Sequence, residues 1–123
     1  MNTILAPEIL ELLKDSDALM PAIAQDSLSG EVLMLAYVNA ESLALTIESG
    51  FATYFSRSRN QIWKKGETSG HLQKVVSITL DCDGDAILFQ VIQEGSACHT
   101  GEFTCFHQEV FPARDAESNV ISE

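Results

Sequence analysis

Leu72-Gln73-Lys74-Val75-Val76-Ser77-Ile78-Thr79-Leu80-Asp81-Cys82-Asp83-Gly84-Asp85-Ala86-Ile87-Leu88-Phe89-Gln90-Val91-Ile92 decides the fold class. Residues 72–80 alternate well enough for a strand centred on Val75 and Val76, and residues 86–92 are the return strand. Between them, Asp83-Gly84 is a two-residue hairpin signal, because such a turn needs positive φ. Outward from this pair, residues 51–55 form a short aromatic strand and residues 104–111 a last strand. Residues 20–25 and 32–38 form a further hairpin around Ser27, Ser29 and Gly30. One clear helix lies between strands: Asn39 caps it, Glu41 sits in its first turn, Leu43, Leu45 and Ile47 face inward, and Gly50 ends it. Pro7 starts a shorter helix with Ile9, Leu10, Leu12 and Leu13 on its apolar side. The stretch 56–71 is polar, basic and glycine-containing, which marks a functional loop, and 95–101 is another loop. The expected fold is β-rich with α+β character: a small closed or nearly closed structure of antiparallel strands with a helical cap.

A chain of 123 residues has room for one core, expected over residues 1–111, with 112–123 as a polar, flexible tail. Eighteen acids against seven Lys and Arg give a net charge of −11, which excludes a protein whose main task is coating nucleic acid. The same charge disfavours docking to anionic membranes. Five of the seven bases, Arg57, Arg59, Lys64, Lys65 and Lys74, share one window, a suitable place to hold a small anion such as phosphate. No secretory signal and no apolar run near the roughly 20 residues of a bilayer span is present, so a cytoplasmic protein is expected. Three cysteines, an odd number, fit a reducing compartment and point to metal binding or catalysis rather than disulfides.

The run Asp81-Cys82-Asp83-Gly84-Asp85 concentrates the chemistry. On a pleated strand Asp81 and Asp83 face one way and Cys82 the other, and Asp85 folds back after the turn. Three carboxylates suit a hard cation such as Mg²⁺, whereas a thiol suits Zn²⁺. Such mutually repelling acids otherwise read as an exposed acidic turn. A calcium EF-hand is excluded, since its twelfth position would be Ile92. Cys98 and Cys105 lie seven apart and sixteen or more beyond Cys82, unlike the tight spacing of zinc fingers. Three thiols leave a coordination position open, as catalytic zinc sites do, although His99 or His107 could close it. His107-Gln108-Glu109 imitates the start of a zinc deaminase signature, but the downstream Pro-Cys-x-x-Cys is missing. Neither a P-loop nor a dinucleotide-binding glycine pattern occurs.

Taken in order, residues 30–37, Tyr54 with Ser56-Arg57-Ser58-Arg59, residues 63–71 (Trp63 through Ser69-Gly70-His71), Asp81-Cys82-Asp83-Gly84-Asp85, and Ala97-Cys98-His99-Thr100-Gly101 with Cys105-Phe106 closely resemble the phosphoribosyl-AMP cyclohydrolases of histidine biosynthesis. The resemblance covers about residues 20–106. It implies a β-rich pseudo-barrel that works as a homodimer. It implies zinc on Cys82, Cys98 and Cys105, shared so that the hairpin cysteine meets the other two on the partner subunit. It implies Mg²⁺ on Asp81, Asp83 and Asp85. Some members are fused to a pyrophosphohydrolase; the length here reads as the monofunctional form.

The implied substrate is the small nucleotide 1-(5-phosphoribosyl)-AMP, whose adenine ring water opens between N1 and C6. A zinc-bound water ionises near pH 7, against roughly 16 in bulk, and would supply hydroxide for attack at C6. His99, beside Cys98, is the first candidate for proton transfer, His71 the second, and His107 is read as structural. Arg57 and Arg59, two apart on an extended segment, would grip one phosphate with help from Ser56 and Ser58. Lys64, Lys65, Ser69 and Gly70 would hold the second. The competing readings are a non-catalytic zinc- or magnesium-binding module, a nucleotide-binding regulator without chemistry, and a different zinc amidohydrolase.

Overall fold

The computed structural model describes residues 4–111. Its elements are α1 (Pro7–Leu10), β1 (Met20–Asp26), β2 (Val32–Val38), α2 (Ala40–Ser49), β3 (Thr53–Ser56), β4 (Gln61–Lys64), β5 (Gln73–Leu80) and β6 (Ile87–Gln93). The strands make one sheet in the order β4-β3-β2-β1-β6-β5. The β-rich, helix-capped fold expected from the sequence is therefore the one that forms. The expected tail, 112–123, lies outside the described residues.

The strands are not all antiparallel. β1 pairs with β6 in parallel from Ala22↔Ile87 to Asp26↔Val91. A hairpin cannot make such a pair; the long excursion through α2, β3, β4 and β5 brings β6 back beside β1 in the same direction. The sheet also curls. The free edge of β5 meets the chain just before β3: the Ala52 amide donates to the Gln73 carbonyl at 3.0 Å, and the Val75 amide to the Gly50 carbonyl at 2.8 Å. Phe51 bridges Lys74 between these bonds, so the first three residues of that edge are covered.

α2 begins and ends as its sequence predicts. Asn39 accepts from the Ser42 amide and Ser42 returns a bond to the Asn39 backbone, and Gly50 closes the helix at φ 82°. Its buried side is Ser42, Leu43, Ala44 and Thr46, whereas Ile47 is 46% exposed, against expectation. The helix is rotated because Thr46 is anchored to β3: its Oγ1 accepts from the Thr53 amide at 2.9 Å and donates to the Thr53 carbonyl at 3.1 Å. That places Ile47 beside Ile9, Leu12, Ile78 and Leu80 in a surface groove.

The core is built from alternate residues of β1 (Met20, Ala22 and Ala24) and β6 (Phe89 and Val91), with Leu33, Met34 and Val38 on β2 and Tyr54 on β3. One polar chain runs through it. The Tyr54 hydroxyl donates to Gln73 Oε1 at 2.7 Å, and Gln73 Nε2 donates to Gln93 Oε1 at 2.9 Å. Tyr54 and Gln73 are fully buried, and burial pushes the Tyr54 phenol well above its ordinary range. Each polar atom needs its partner there, since an unmade buried hydrogen bond costs about 1–3 kcal/mol. Gln93 Nε2 continues outward to the carbonyls of Glu94 at 3.0 Å and His71 at 3.4 Å, linking the core to the surface loops.

Three further expectations are corrected. Residues 56–71 are not one loop: β4 forms inside them and pairs with β3 from Thr53↔Lys64 to Ser56↔Gln61. Residues 104–111 form no strand; the segment adds only single bonds to the start of β2, from Cys105 N to Leu33 O at 2.7 Å and from Thr104 Oγ1 to Val32 O at 2.6 Å. The Asp83-Gly84 turn is not a two-residue hairpin either. β5 ends at Leu80 and β6 begins at Ile87, leaving residues 81–86 as the loop. Gly84 is needed there for close approach: a Cβ on it would lie 2.1 Å from the Leu12 carbonyl oxygen.

Candidate active site

Two loops and the end of one strand enclose a cavity of about 320 Å³ lined by Lys65, Ser69, His71, Ser96, Cys98 and His99, among others. Lys65 follows β4 directly, so pleat alternation sends it away from Lys64. Its Nζ donates to the Ala97 carbonyl at 2.5 Å. Lys64 instead lies over the Phe51 ring, 4.8 Å from its centre. The two lysines read as one phosphate site are thus on separate faces.

Residues 94–107 have no regular secondary structure but are closely tied. Ala97 N donates to Phe103 O at 3.0 Å, Cys98 N to Glu102 O at 3.1 Å, and Gly101 N to Cys98 O at 3.1 Å. This holds the buried Cys98 against donors. The Thr100 hydroxyl donates to Cys98 Sγ at 3.1 Å, and His107 Nε2 lies 3.8 Å away. The Thr100 hydroxyl and amide, followed by His107, hold the Cys98 thiol down at about 6. Cys105 is pushed up instead, by burial and then by its hydrogen bond and charge repulsion with Cys98. One thiolate and one thiol side by side are a soft ligand pair.

Cys82 does not join them. It is exposed on the 81–86 loop, and among the described residues the one group of three metal-ligating side chains with ligand atoms mutually within 4.8 Å is Asp81, Asp83 and Asp85. That cluster forms although the strand alternation expected to build it stops at Leu80; the loop wraps its own carboxylates together. Asp81 Oδ1 accepts from the amides of Asp85 at 3.0 Å and Ala86 at 3.2 Å. Desolvation is the largest single influence and raises Asp81, but these two amides together with hydrogen bonds from the Asp85 and Asp83 side chains outweigh it and hold the carboxyl below its usual range. Asp85 is raised by hydrogen bonding with Asp83 and Asp81 and by their charge. Lys14 Nζ stands 3.7 Å from both Asp83 and Asp85. The donor set is three hard oxygens that repel one another, which fits Mg²⁺.

A second cleft, about 580 Å³, is lined by Tyr37, Phe55, Ser56, Arg57, Ser58 and Trp63, among others. Residues 57–60 are a turn, not the extended segment expected, with Asn60 at φ 51°. Alternation stops at Ser56, so Arg57 and Arg59 do not share a face: Arg57 lines the cleft and Arg59 does not. The Arg57 guanidinium lies 4.0 Å over the centre of the Tyr37 ring. Ser56 Oγ and Ser58 Oγ are 3.4 Å apart, and Ser56 Oγ also accepts from the Arg59 amide at 3.3 Å. Trp63 stacks at 5.1 Å on Tyr54, so it is partly core and partly cleft wall.

Of the two histidine candidates, both reach the first cavity but differ in support. His99 is exposed. His71 is half-buried, its amide donates to Ser69 Oγ at 3.2 Å, and its Nδ1 lies 3.3 Å from Ser96 Oγ. Gly70 shapes that turn, donating its amide to Gly66 O at 2.7 Å. Sequence reasoning gave no role to Tyr37, Thr100 or Ser96. Thr100 had a local signal, two residues from Cys98; Tyr37 and Ser96 meet their partners only through the fold.

Residues 34–107 match the family model described as phosphoribosyl-AMP cyclohydrolase. The phosphoribosyl-AMP cyclohydrolase of Natronomonas pharaonis is 57% identical over 99 residues, 80% of this chain and 82% of that protein. That of Archaeoglobus fulgidus is 54% identical over 101 residues, 82% of this chain and 94% of that protein. The histidine biosynthesis bifunctional protein HisIE of Wolinella succinogenes is 62% identical over 92 residues, 75% of this chain and 40% of that protein. The chain belongs to the phosphoribosyl-AMP cyclohydrolase family.

Proposed function

We propose, with that membership as the premise, that the chain catalyses a step of histidine biosynthesis: hydrolysis of 1-(5-phosphoribosyl)-AMP, opening the adenine ring between N1 and C6. The observation that carries this reading is the 320 Å³ cavity, where Lys65, His71, Cys98 and His99 converge from separate stretches of sequence. A base attached through two phosphorylated sugars needs cationic and hydroxyl donors, an activated water and a proton carrier, and the cavity and the neighbouring Arg57 cleft offer each residue type.

Zinc would be held by Cys98 and Cys105 of one chain with Cys82 of a second copy. The depressed Cys98 thiol favours this, because a thiolate is the form that ligates metal. The position of Cys82 outside the Cys98–Cys105 pair favours a homodimer in which each site takes ligands from both subunits. When bound there, zinc supplies the acidity that makes water a nucleophile near pH 7. Asp81, Asp83 and Asp85 would hold Mg²⁺, with Lys14 giving way to it. The water oxygen bonds to C6 as the C6–N1 electron pair leaves with the ring nitrogen; His99 is the first candidate to carry the protons this requires, and His71, the second candidate, stands beside it as a hydrogen-bond donor. Arg57, Ser56 and Ser58 bind one phosphate from the second cleft; Lys65, Ser69 and Gly70 approach the other, with Lys64 and Arg59 at the margins. The cytoplasm is the proposed compartment; no helix among the described residues is long and apolar enough to cross a membrane.

Purified protein mixed with 1-(5-phosphoribosyl)-AMP and Mg²⁺, followed by ultraviolet absorbance with and without a zinc chelator, tests the reading. Chelator-sensitive ring opening is expected. Folded, zinc-loaded protein that leaves the substrate intact would overturn it in favour of a metal-binding module.

A further inference from the structure

His71 is held on every side that the fold reaches. Its amide is taken by Ser69 Oγ and its carbonyl accepts from Gln93 Nε2, the outer end of the buried Tyr54–Gln73–Gln93 chain. Its ring rests on the backbone of Gly95. A Cβ on that glycine would lie 2.5 Å from His71 Cδ2 and 2.8 Å from both Cγ and Nε2, so any side chain at 95 would occupy the place of the imidazole. The next residue puts its hydroxyl at Nδ1, 3.3 Å away. Among the described residues Nε2 makes no hydrogen bond, and the ring lines the cavity.

We infer that Ser96 is a positioning residue for His71, with Gly95 as the seat of the ring: the Ser96 hydroxyl donates to Nδ1, so the neutral imidazole keeps its proton on Nε2 and presents it to the substrate as a fixed hydrogen-bond donor. A neutral imidazole has one donor and one acceptor nitrogen, so a hydroxyl that donates to Nδ1 leaves the ring proton on Nε2. Contact with the Gly95 backbone holds the ring in one place, so the Ser96 hydroxyl meets the same nitrogen. A fixed donor aimed at developing negative charge needs no reorganisation during reaction, which is how such donors accelerate it. The inference rests on the reading that this cavity takes the nucleotide.

Nitrogen-15 NMR of the histidine side chains, in the zinc-loaded protein, tests the tautomer without substrate. The expected result is a single Nε2–H form for His71 in the wild type and a mixture in Ser96→Ala, with the hydroxyl-bearing Ser96→Thr restoring the single form. A wild-type ring protonated on Nδ1, or a tautomer unmoved by Ser96→Ala, overturns the inference. In turnover, Ser96→Ala should lower kcat by roughly tenfold with KM and zinc content unchanged. A rise in KM alone would make Ser96 a substrate contact, and loss of zinc would mean that it acts through Cys98; either overturns the positioning role. Gly95→Ala should displace the ring and lower kcat at unchanged zinc content, and wild-type kcat in that variant would refute the seat. Failure of the wild type to open the substrate would sink the functional reading, while the NMR result would still decide the claim about Ser96.

Discussion

The 81–86 loop and the 94–107 segment both gather candidate metal ligands, but they are assembled by different means. The acidic loop is made by its neighbours in sequence: Asp81 accepts from the amides of residues four and five places on, and the three carboxylates close on one another within one turn. The thiol segment is made by distant partners. Lys65 reaches the Ala97 carbonyl, Cys105 bonds to Leu33, and Thr104 bonds to Val32, 72 residues away. A hard-oxygen site can thus be written into five residues, whereas a soft site whose thiolate must be stabilised needs a folded barrel around it.

The comparison is exposed to experiment in order of effect. Cys98→Ala should remove bound zinc and reduce turnover to background, measured by metal analysis and the absorbance assay; full activity without metal would break the comparison outright. Next comes Lys65→Met, which removes the cation from the Ala97 carbonyl. Turnover should fall by up to roughly 10²-fold, since small misplacement of reacting groups costs that much. Wild-type kinetics would mean that the thiol segment holds its shape unaided. Tyr37→Leu frees the Arg57 guanidinium and should raise KM about two- to fivefold at unchanged kcat, the scale of an exposed cation–π contact. Tyr37→Phe keeps the ring face and should behave as wild type; equal losses in both variants would point to the hydroxyl instead. The smallest effect is expected at Lys14→Met. It removes the one cation near Asp83 and Asp85 among the described residues and should tighten Mg²⁺ binding by roughly twofold, because exposed ion pairs are weak. Collapse of Mg²⁺ binding in calorimetry would show that the acidic loop, too, depends on a distant residue.

The contrast also explains what could be read in advance. Local signals were dependable: Asn39 and Gly50 bounded α2, the alternation of residues 72–80 located β5, and the apolar runs between turn residues located β1, β2 and β6. β4 went unseen because its four residues, Gln61–Lys64, are too few and too polar to show a period. Ile47 was placed inward by helical spacing, yet Thr46 won the buried position by bonding to both backbone groups of Thr53. The 104–111 strand did not form: β propensity reads side-chain type, and this segment meets β2 through isolated bonds at Val32 and Leu33 instead of a ladder.

The sequence by itself determined the composition of the site and its family: the carboxylates, thiols, histidines and basic loop all stand at positions legible from residue type and order. Tertiary structure alone decided their grouping. It seated His71 on Gly95 and Ser96, parted Lys64 from Lys65, turned Arg57 onto Tyr37, and kept Cys82 away from Cys98 and Cys105. The reason is physical. Residue type fixes what a side chain can donate, accept or ligate, whereas a contact between residues tens of positions apart depends on strand pairing and register, above all the parallel pairing of β1 with β6.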